Sequence, residues 1–584
     1  MIKLWYFINL INLLSNFIMR KILNQSKFIL FVTLFIIIFF NIHVKSLEKT
    51  IKGDNISDYF SGILSLNKNE YYLTYRYLKN IEGLEDAHYT YSQVYLYSLI
   101  NLNKFREAYI YSKKLERKKL NSFESDLLIG LYNLKNKNNF QAKKNLKKNF
   151  QKKDLDPLQR IISIITYNFS DIQNLSYDQS FEKINLINNR FDNIKKIQKI
   201  FLNCYYNSPE TENSFKKIVE DKSVNFLRYN FFYANYLISN NQIKNAQKVI
   251  KSSLKVSPRN LLIDQLRLDL IENKGFKNNF DCSNESHILS EFFYVVSNAL
   301  SSQGFYSISN FYLSLSKFLN PDFISHDVLY AENSILIGNI DLAKNLYKKL
   351  KKFGDAFNWF ASKELTNILV DEGKKEEAIK ILRKSYGELK NSDNYQKIEF
   401  ADYLKNNKQY IESIKYYTEV IESIDLKHDL YPQATDGRGI AYERTGSWSK
   451  AEKDFLNSLE AKPNQAYVLN YLAYSWIEQN ANIERSLVML KKANELRKND
   501  PYIIDSLGWA LFKLKNFQEA EKYLQKAVRL LPSDPIVNDH FADILWFNNK
   551  KIQARYYWNY VLNLDDTKKD MRTKINKKII SGLN

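Results

Sequence analysis

The sequence predicts an all-α solenoid built of paired antiparallel helices. Three observations carry that reading: a pattern of small residues recurring about every 34 positions, prolines confined to its seams, and a helical hydrophobic period throughout. The pattern is plainest in 501–532, PYIIDSLGWALFKLKNFQEAEKYLQKAVRLLP. It reads as two amphipathic helices joined by a short polar turn. Counting Pro501 as position 1, Gly508 falls at 8, Ala520 at 20, Ala527 at 27 and Pro532 at 32. Small residues at 8 and 20 let the two helices of a pair touch, and 27 lets the second helix meet the next pair. Proline at 32 ends the second helix, because it has no amide hydrogen to donate.

This is the spacing of a tetratricopeptide (TPR) repeat, and it recurs in register. Units start at Ser290, Ile324, Trp359, Asn394, Pro432, Ala466, Pro501 and Pro535, in steps of 34, 35, 35, 38, 34, 35 and 34 residues. Three more start at Asn55, Tyr89 and Phe123, and one at Leu227. Position 20 is Ala at 108, 142, 246, 343, 378, 451, 520 and 554, Ser at 309, 413 and, allowing one extra residue in that turn, 486, and Thr at 74. Position 8 is small at Gly62, Gly130, Ala234, Ala331, Gly439, Ala473 and Ala542, with Leu96 the exception. Of nine prolines, four stand at position 32 and four at position 1 of a unit; Pro209 alone is off the seams. A helical protein without repeats would not confine its prolines this way.

Composition limits the class further. Fifteen glycines and nine prolines in 584 residues leave little for long flexible linkers. The net charge of +21 is read partly as codon bias, since Lys, Asn, Ile, Tyr and Phe are all abundant. A repeat array is quasi-one-dimensional and needs no single large core. On that geometry Cys204 and Cys282, 78 residues apart, lie about two repeats from each other, too far for a disulfide, and are expected as buried thiols.

Residues 1–46 read as a signal peptide. A 13-residue apolar run, 28–40, follows Arg20, Lys21 and Lys27, and Val44 and Ser46 frame a cleavage site before Leu47. Translation is expected to start at Met19, and an uncleaved signal anchor is the alternative. Then come N-terminal repeats over 47–156, a degenerate helical region over 157–289, a C-terminal array over 290–566, and a basic tail over 567–584 that frays or caps the last helix. The stretch 135–153 holds eight lysines and no acid, so it is either a solvated outer face or a surface for anionic lipid or another polyanion.

Catalytic and metal-binding patterns are missing from the sequence. Six histidines are scattered, with no HExxH, no CxxC, no phosphate-binding GxxxxGK[ST] and no GxSxG elbow. The expectation is a protein that is not an enzyme and needs no cofactor or metal.

A partner site is expected on the first helices of the last four units, where positions 2, 5, 9 and 12 face the concave groove of a TPR superhelix. Position 5 is Asp436, Asn470, Asp505 and Asp539 in succession. Around this column stand Tyr467 and Tyr502 at position 2, Tyr474 and Trp509 at position 9, and Phe512 and Trp546 at position 12. Carboxylates and an amide along an aromatic groove can hold an extended peptide or a helical segment through backbone amides or basic side chains. The alternative is that Asp and Asn bridge neighbouring helices and the aromatics form inter-repeat core.

The stretches VLNYLAYSWIE, DPYIIDSLGWALFKLKNFQEAEKYLQKA and IVNDHFADILWFNNKKIQARYYWNYVL resemble the C-terminal repeats of exported bacterial TPR proteins of about this size. ISDYFSGILSLNKNEYYLTYRYL is similar to their opening repeat. That family includes a lipoprotein adaptor that binds a carboxyl-terminal processing protease and delivers cell-wall hydrolases to it. The matching residues are Asn470, Asp505, Ser506, Gly508, Trp509, Asn538, Asp539 and His540. The resemblance implies a non-catalytic envelope scaffold with protein partners, periplasmic or anchored to the inner membrane; nucleic acid is not expected as a partner, because an exported chain rarely meets it and the groove is acidic and aromatic. The chain departs from the lipoprotein members in having no lipidation cysteine near the cleavage site.

Overall fold

A computed structural model describes residues 53–583, apart from 82, 87, 222–225 and 273–278. The signal segment falls outside the described residues. Among those described there are helices and turns and no strand. The all-α TPR solenoid read from the sequence is the fold.

Two compact units are present, Met1–Ser98 and Leu99–Asn584. In the first, Gly53–Asn67 pairs with Tyr71–Lys79. The pair is close because Gly62 has no side chain: a Cβ there would lie 2.6 Å from Leu78 Cδ2. Tyr91 seals the next seam by donating its hydroxyl to Leu78 O at 3.0 Å.

The second unit repeats this device. Phe123–Lys135 packs on Asn139–Gln151, Tyr431–Arg444 on Trp448–Ala461, and Pro501–Lys513 on Phe517–Leu530. Cβ atoms at Gly130, Gly439 and Gly508 would meet Leu146, Phe455 and Leu524 at 2.4, 2.8 and 2.7 Å. Each of these partners is position 24 of the same unit, so position 8 is small to admit one long side chain from the facing helix. The turns are as regular. Position 15 has left-handed backbone in all twelve units, as Asn69, Asn103, Asn241, Asn480 and Asn549, Lys137, Lys408 and Lys515, and Gly304, Gly338, Gly373 and Gly446. The next amide then bonds five residues back, as Asn516 N to Leu511 O at 2.9 Å and Lys550 N to Leu545 O at 2.8 Å. That closes each first helix with a Schellman motif.

The degenerate region resolves into further helix pairs, Pro157–Ser170 with Tyr177–Asn185 and Asp192–Tyr205 with Thr211–Glu220. Its last helix, Leu261–Ile271, does more than extend the stack. It lies against Asp355–Asp371, where Gln265 Oε1 accepts from Ala356 N at 3.1 Å. Likewise Phe318, on Tyr306–Leu319, stacks on Phe105 at 4.2 Å, and Lys135 Nζ donates to Leu319 O at 2.8 Å. The unit Leu99–Asn584 is therefore not a one-dimensional stack. Aromatic contacts between repeats distant in sequence fold it back on itself.

The same return corrects the cysteine reading. Cys204 and Cys282 are disulfide-bonded, with Cα atoms 5.9 Å apart. Counting 78 residues as two repeat steps fails because the chain after Leu261–Ile271 doubles back over the Asp192–Tyr205 and Tyr229–Ser239 helices. Phe280 drives this, its ring buried 5.3 Å from Phe201 and 4.6 Å from Phe232, with its carbonyl accepting from Asn235 Nδ2 at 2.9 Å. Nearby, Arg228 grips buried Glu291 with two bonds of 2.7 Å and lies 3.8 Å from the Tyr294 ring.

Two measurements check this packing. Gly130→Ala should lower the urea midpoint, since overpacking of about 1–3 kcal/mol exceeds the helix-propensity gain of about 1 kcal/mol. Gly387→Ala, where nothing lies within 4 Å, should raise it. Replacing both cysteines by Ser should cost about 2–4 kcal/mol; equal stability of the two forms would mean that the aromatic cluster alone holds the returning loop.

Candidate peptide-binding groove

The site is built on three consecutive first helices, Ala466–Glu478, Pro501–Lys513 and Pro535–Phe547. Proline opens the last two at the position where a missing amide hydrogen costs nothing. Asp500 caps one by accepting from Tyr502 N and Ile503 N at 3.1 and 3.3 Å, and Asp534 caps the other through Ile536 N and Val537 N at 2.8 and 3.0 Å. The caps fix where each helix starts and hence which side chains stand side by side.

Between the helices lies an open groove of about 350 Å³. Four residues expected there line it: Asn470, Tyr474, Tyr502 and Asp505. Asp505 is 5% exposed, and its Oδ2 pairs with His540 Nδ1 at 2.9 Å. Its other oxygen, Oδ1, has no hydrogen-bond partner among the described residues, and neither does the buried Oδ1 of Asn470. Tyr502 is half-exposed, whereas burial raises the Tyr474 hydroxyl pKa. Sequence reasoning missed Glu443 and Glu478. Glu478 lines the groove and accepts from Trp509 Nε1 at 2.7 Å, and Glu443 accepts from Tyr471 OH at 2.9 Å.

The other expected residues lie elsewhere. Trp509 is buried behind Glu478, stacked on His540 at 4.0 Å and on Phe512 at 4.8 Å. Phe512 packs on Phe517 and Phe547 as inter-repeat core. Tyr467 is exposed, donates to Asp500 Oδ2 at 3.0 Å and lies under Arg497. Asp436 is not among the groove's lining residues; burial pushes its carboxyl up to about 6, with Lys405 and Asp402 as the charges beside it. Asp539 and Trp546 are covered by the tail, which forms the helix Lys569–Ser581. Lys578 Nζ sits 2.7 and 2.9 Å from the Asp539 oxygens and 2.8 Å from both of Asp543, and Trp546 Nε1 donates to Leu583 O at 2.8 Å. The tail caps the array.

The lysine-rich stretch is partly consumed internally. Lys143 pairs with Asp171 at 2.7 Å, Lys148 with Glu116 at 2.5 Å and Lys152 with Asp126 at 3.2 Å. With Lys135 on Leu319 O, four of its eight lysines hold neighbouring helices together.

Regular helix pairs with small residues at fixed positions and an open groove on the first helices define a TPR solenoid, a class whose members are in general protein-interaction scaffolds. Residues 339–567 match the tetratricopeptide repeat family model. A TPR repeat-containing protein of Pseudomonas aeruginosa is 26% identical over 171 residues, which are 29% of this chain and 28% of that protein. The match thus spans little more than a quarter of the relative's length. Among solved structures, MamA from Desulfovibrio magneticus is 16% identical, covering 31% of this chain and 99% of its own at a TM-score of 0.27. A thermophilic TPR protein of Thermus thermophilus is 14% identical over 32% of this chain and 100% of its own, at 0.28. YrrB, described as a TPR protein with an unusual peptide-binding site, is 16% identical over 32% of this chain and 92% of its own, at 0.27.

The His540 pair makes stability pH-dependent. Burial pulls the imidazole pKa down, but the Asp505 carboxylate, with Asp539 and Asp543 beyond it, more than reverses this and raises it above 6.5. Its stabilisation is therefore complete below that value and is lost as pH rises through the folded value. From about pH 6 to about pH 9 the wild type should lose more stability than His540→Asn, as read by urea unfolding. Parallel curves would remove His540 from the account.

Proposed function

We propose that this chain is a non-catalytic scaffold or adaptor of the bacterial cell envelope that holds a protein partner in the groove between 466 and 547. The observation that carries the proposal is the groove itself: an open channel on the first helices, floored by buried acceptors that nothing in the described chain satisfies. Exposed tyrosine beside it offers apolar contact at low entropy cost. The Cys204–Cys282 bond supports an exported location, because disulfides persist in oxidising compartments. So does the basic and then apolar leader in the sequence. Among the described residues no helix is long and apolar enough to cross a membrane. The family resemblance points to envelope proteases or cell-wall enzymes as the class of partner.

The test is photocrosslinking in living cells, from a reactive amino acid at Tyr502 in the groove and at Ile411, 81% exposed on Tyr410–Ser423. A discrete adduct with an envelope protein from 502 and none from 411 is expected, with the two cysteines blocked to thiol trapping. No adduct from 502, equal adducts from both positions, or free thiols in cells would overturn the reading.

A further inference from the structure

We propose that the groove recognises a basic side chain, a lysine or arginine presented by the partner, whose N–H groups fill the empty positions at Asp505 Oδ1 and Asn470 Oδ1. The inference rests on the scaffold reading above and adds to it the chemistry of the bound segment. Asp505 is almost wholly buried, yet only one of its carboxylate oxygens is bonded, to His540. Asn470, in the same position one repeat earlier, also keeps a buried oxygen with no donor. A buried acceptor oxygen left without a donor keeps a desolvation cost that no bond offsets. A donor arriving from outside removes that cost, and a cationic donor removes most of it.

The groove's charge selects the same ligand. Glu443, Glu478, Asp505 and Asp534 line it against a single cation, Arg444, which already pairs with Glu443 at 3.3 Å. The chain as a whole carries +21, so this is a local acidic site on a basic protein. The chain also shows an acid of this column taking an ammonium. Asp539, 34 residues after Asp505, holds Lys578 from the helix Lys569–Ser581 at 2.7 Å, with Asp543 sharing the charge at 2.8 Å. At Asp505 the next first helix, Pro535–Phe547, supplies a histidine instead, which reaches one oxygen and leaves the other buried in the groove's lining without a donor. Tyr474 and the half-exposed Tyr502 stand beside these acceptors, rings suited to the aliphatic stem and to the charge above it.

The experiment measures binding of the full chain to four acetylated, amidated nonapeptides of Ala, Gly and Tyr that differ only in a central Lys, Arg, norleucine or Glu. Fluorescence anisotropy at low salt should give saturable binding for Lys and Arg, about tenfold weaker binding for norleucine, and none for Glu. Asp505→Asn should weaken the Lys peptide about tenfold and leave the norleucine peptide unchanged, with helical circular dichroism retained. Asn470→Ala serves as the second variant, expected to weaken the Lys peptide in the same sense, should Asp505→Asn unfold. Equal affinity for Lys and norleucine, Lys binding that neither variant changes, or no saturable binding by any peptide up to about 1 mM would overturn the proposal. If crosslinking from 502 captures a partner while Lys and norleucine peptides bind alike, the scaffold reading stands and the basic-ligand inference falls.

Discussion

Everything in this molecule depends on how closely the two helices of a pair approach. Where position 8 is glycine, the second helix sends a Leu or Phe from position 24 to within contact of bare backbone, as Leu146 does at Gly130 and Leu524 at Gly508. That contact sets the pair's separation. The left-handed residue at position 15 and its Schellman bond set the reversal between the helices. With both repeated every 34 to 38 residues along the C-terminal array, successive first helices stand side by side, and residues far apart in sequence form columns across them. The acidic column exists only because this geometry recurs with little error.

Within the column, charge is settled by what the next helix supplies. Asp539 receives Lys578 and Asp505 receives His540, while Asn470 needs no counter-charge. The C-terminal helix therefore does two things at once. It covers Trp546 and neutralises Asp539 and Asp543, so the open part of the groove lies further up the array. Trp509, which a sequence reading places in the groove, is better used in the seam, where its N–H satisfies Glu478 and its face meets His540.

The repeats do not form a simple stack. Phe318 on Phe105, Gln265 on the start of Asp355–Asp371, and the Arg228–Glu291 pair tie together stretches that a one-dimensional array would keep apart. The disulfide belongs to the same set, because it locks a loop whose return is driven by burial of Phe280.

The sequence by itself determined the fold class and the register of the helix pairs, because small residues and prolines at set intervals are demanded by close packing and helix ends and by little else. It also named four residues that line the groove, Asn470 and Asp505 at position 5, Tyr474 at position 9 and Tyr502 at position 2, because those positions share one face of a first helix. Eight of the twelve left-handed turn residues are Asn or Lys, which are abundant everywhere in this chain and so carry no local contrast. The disulfide, the burial of Trp509 and the covering of Asp539 and Trp546 were decided by tertiary structure alone. Each depends on where a loop or tail returns in space, and repeat spacing holds no information about that return; only the packing of particular rings and charges does.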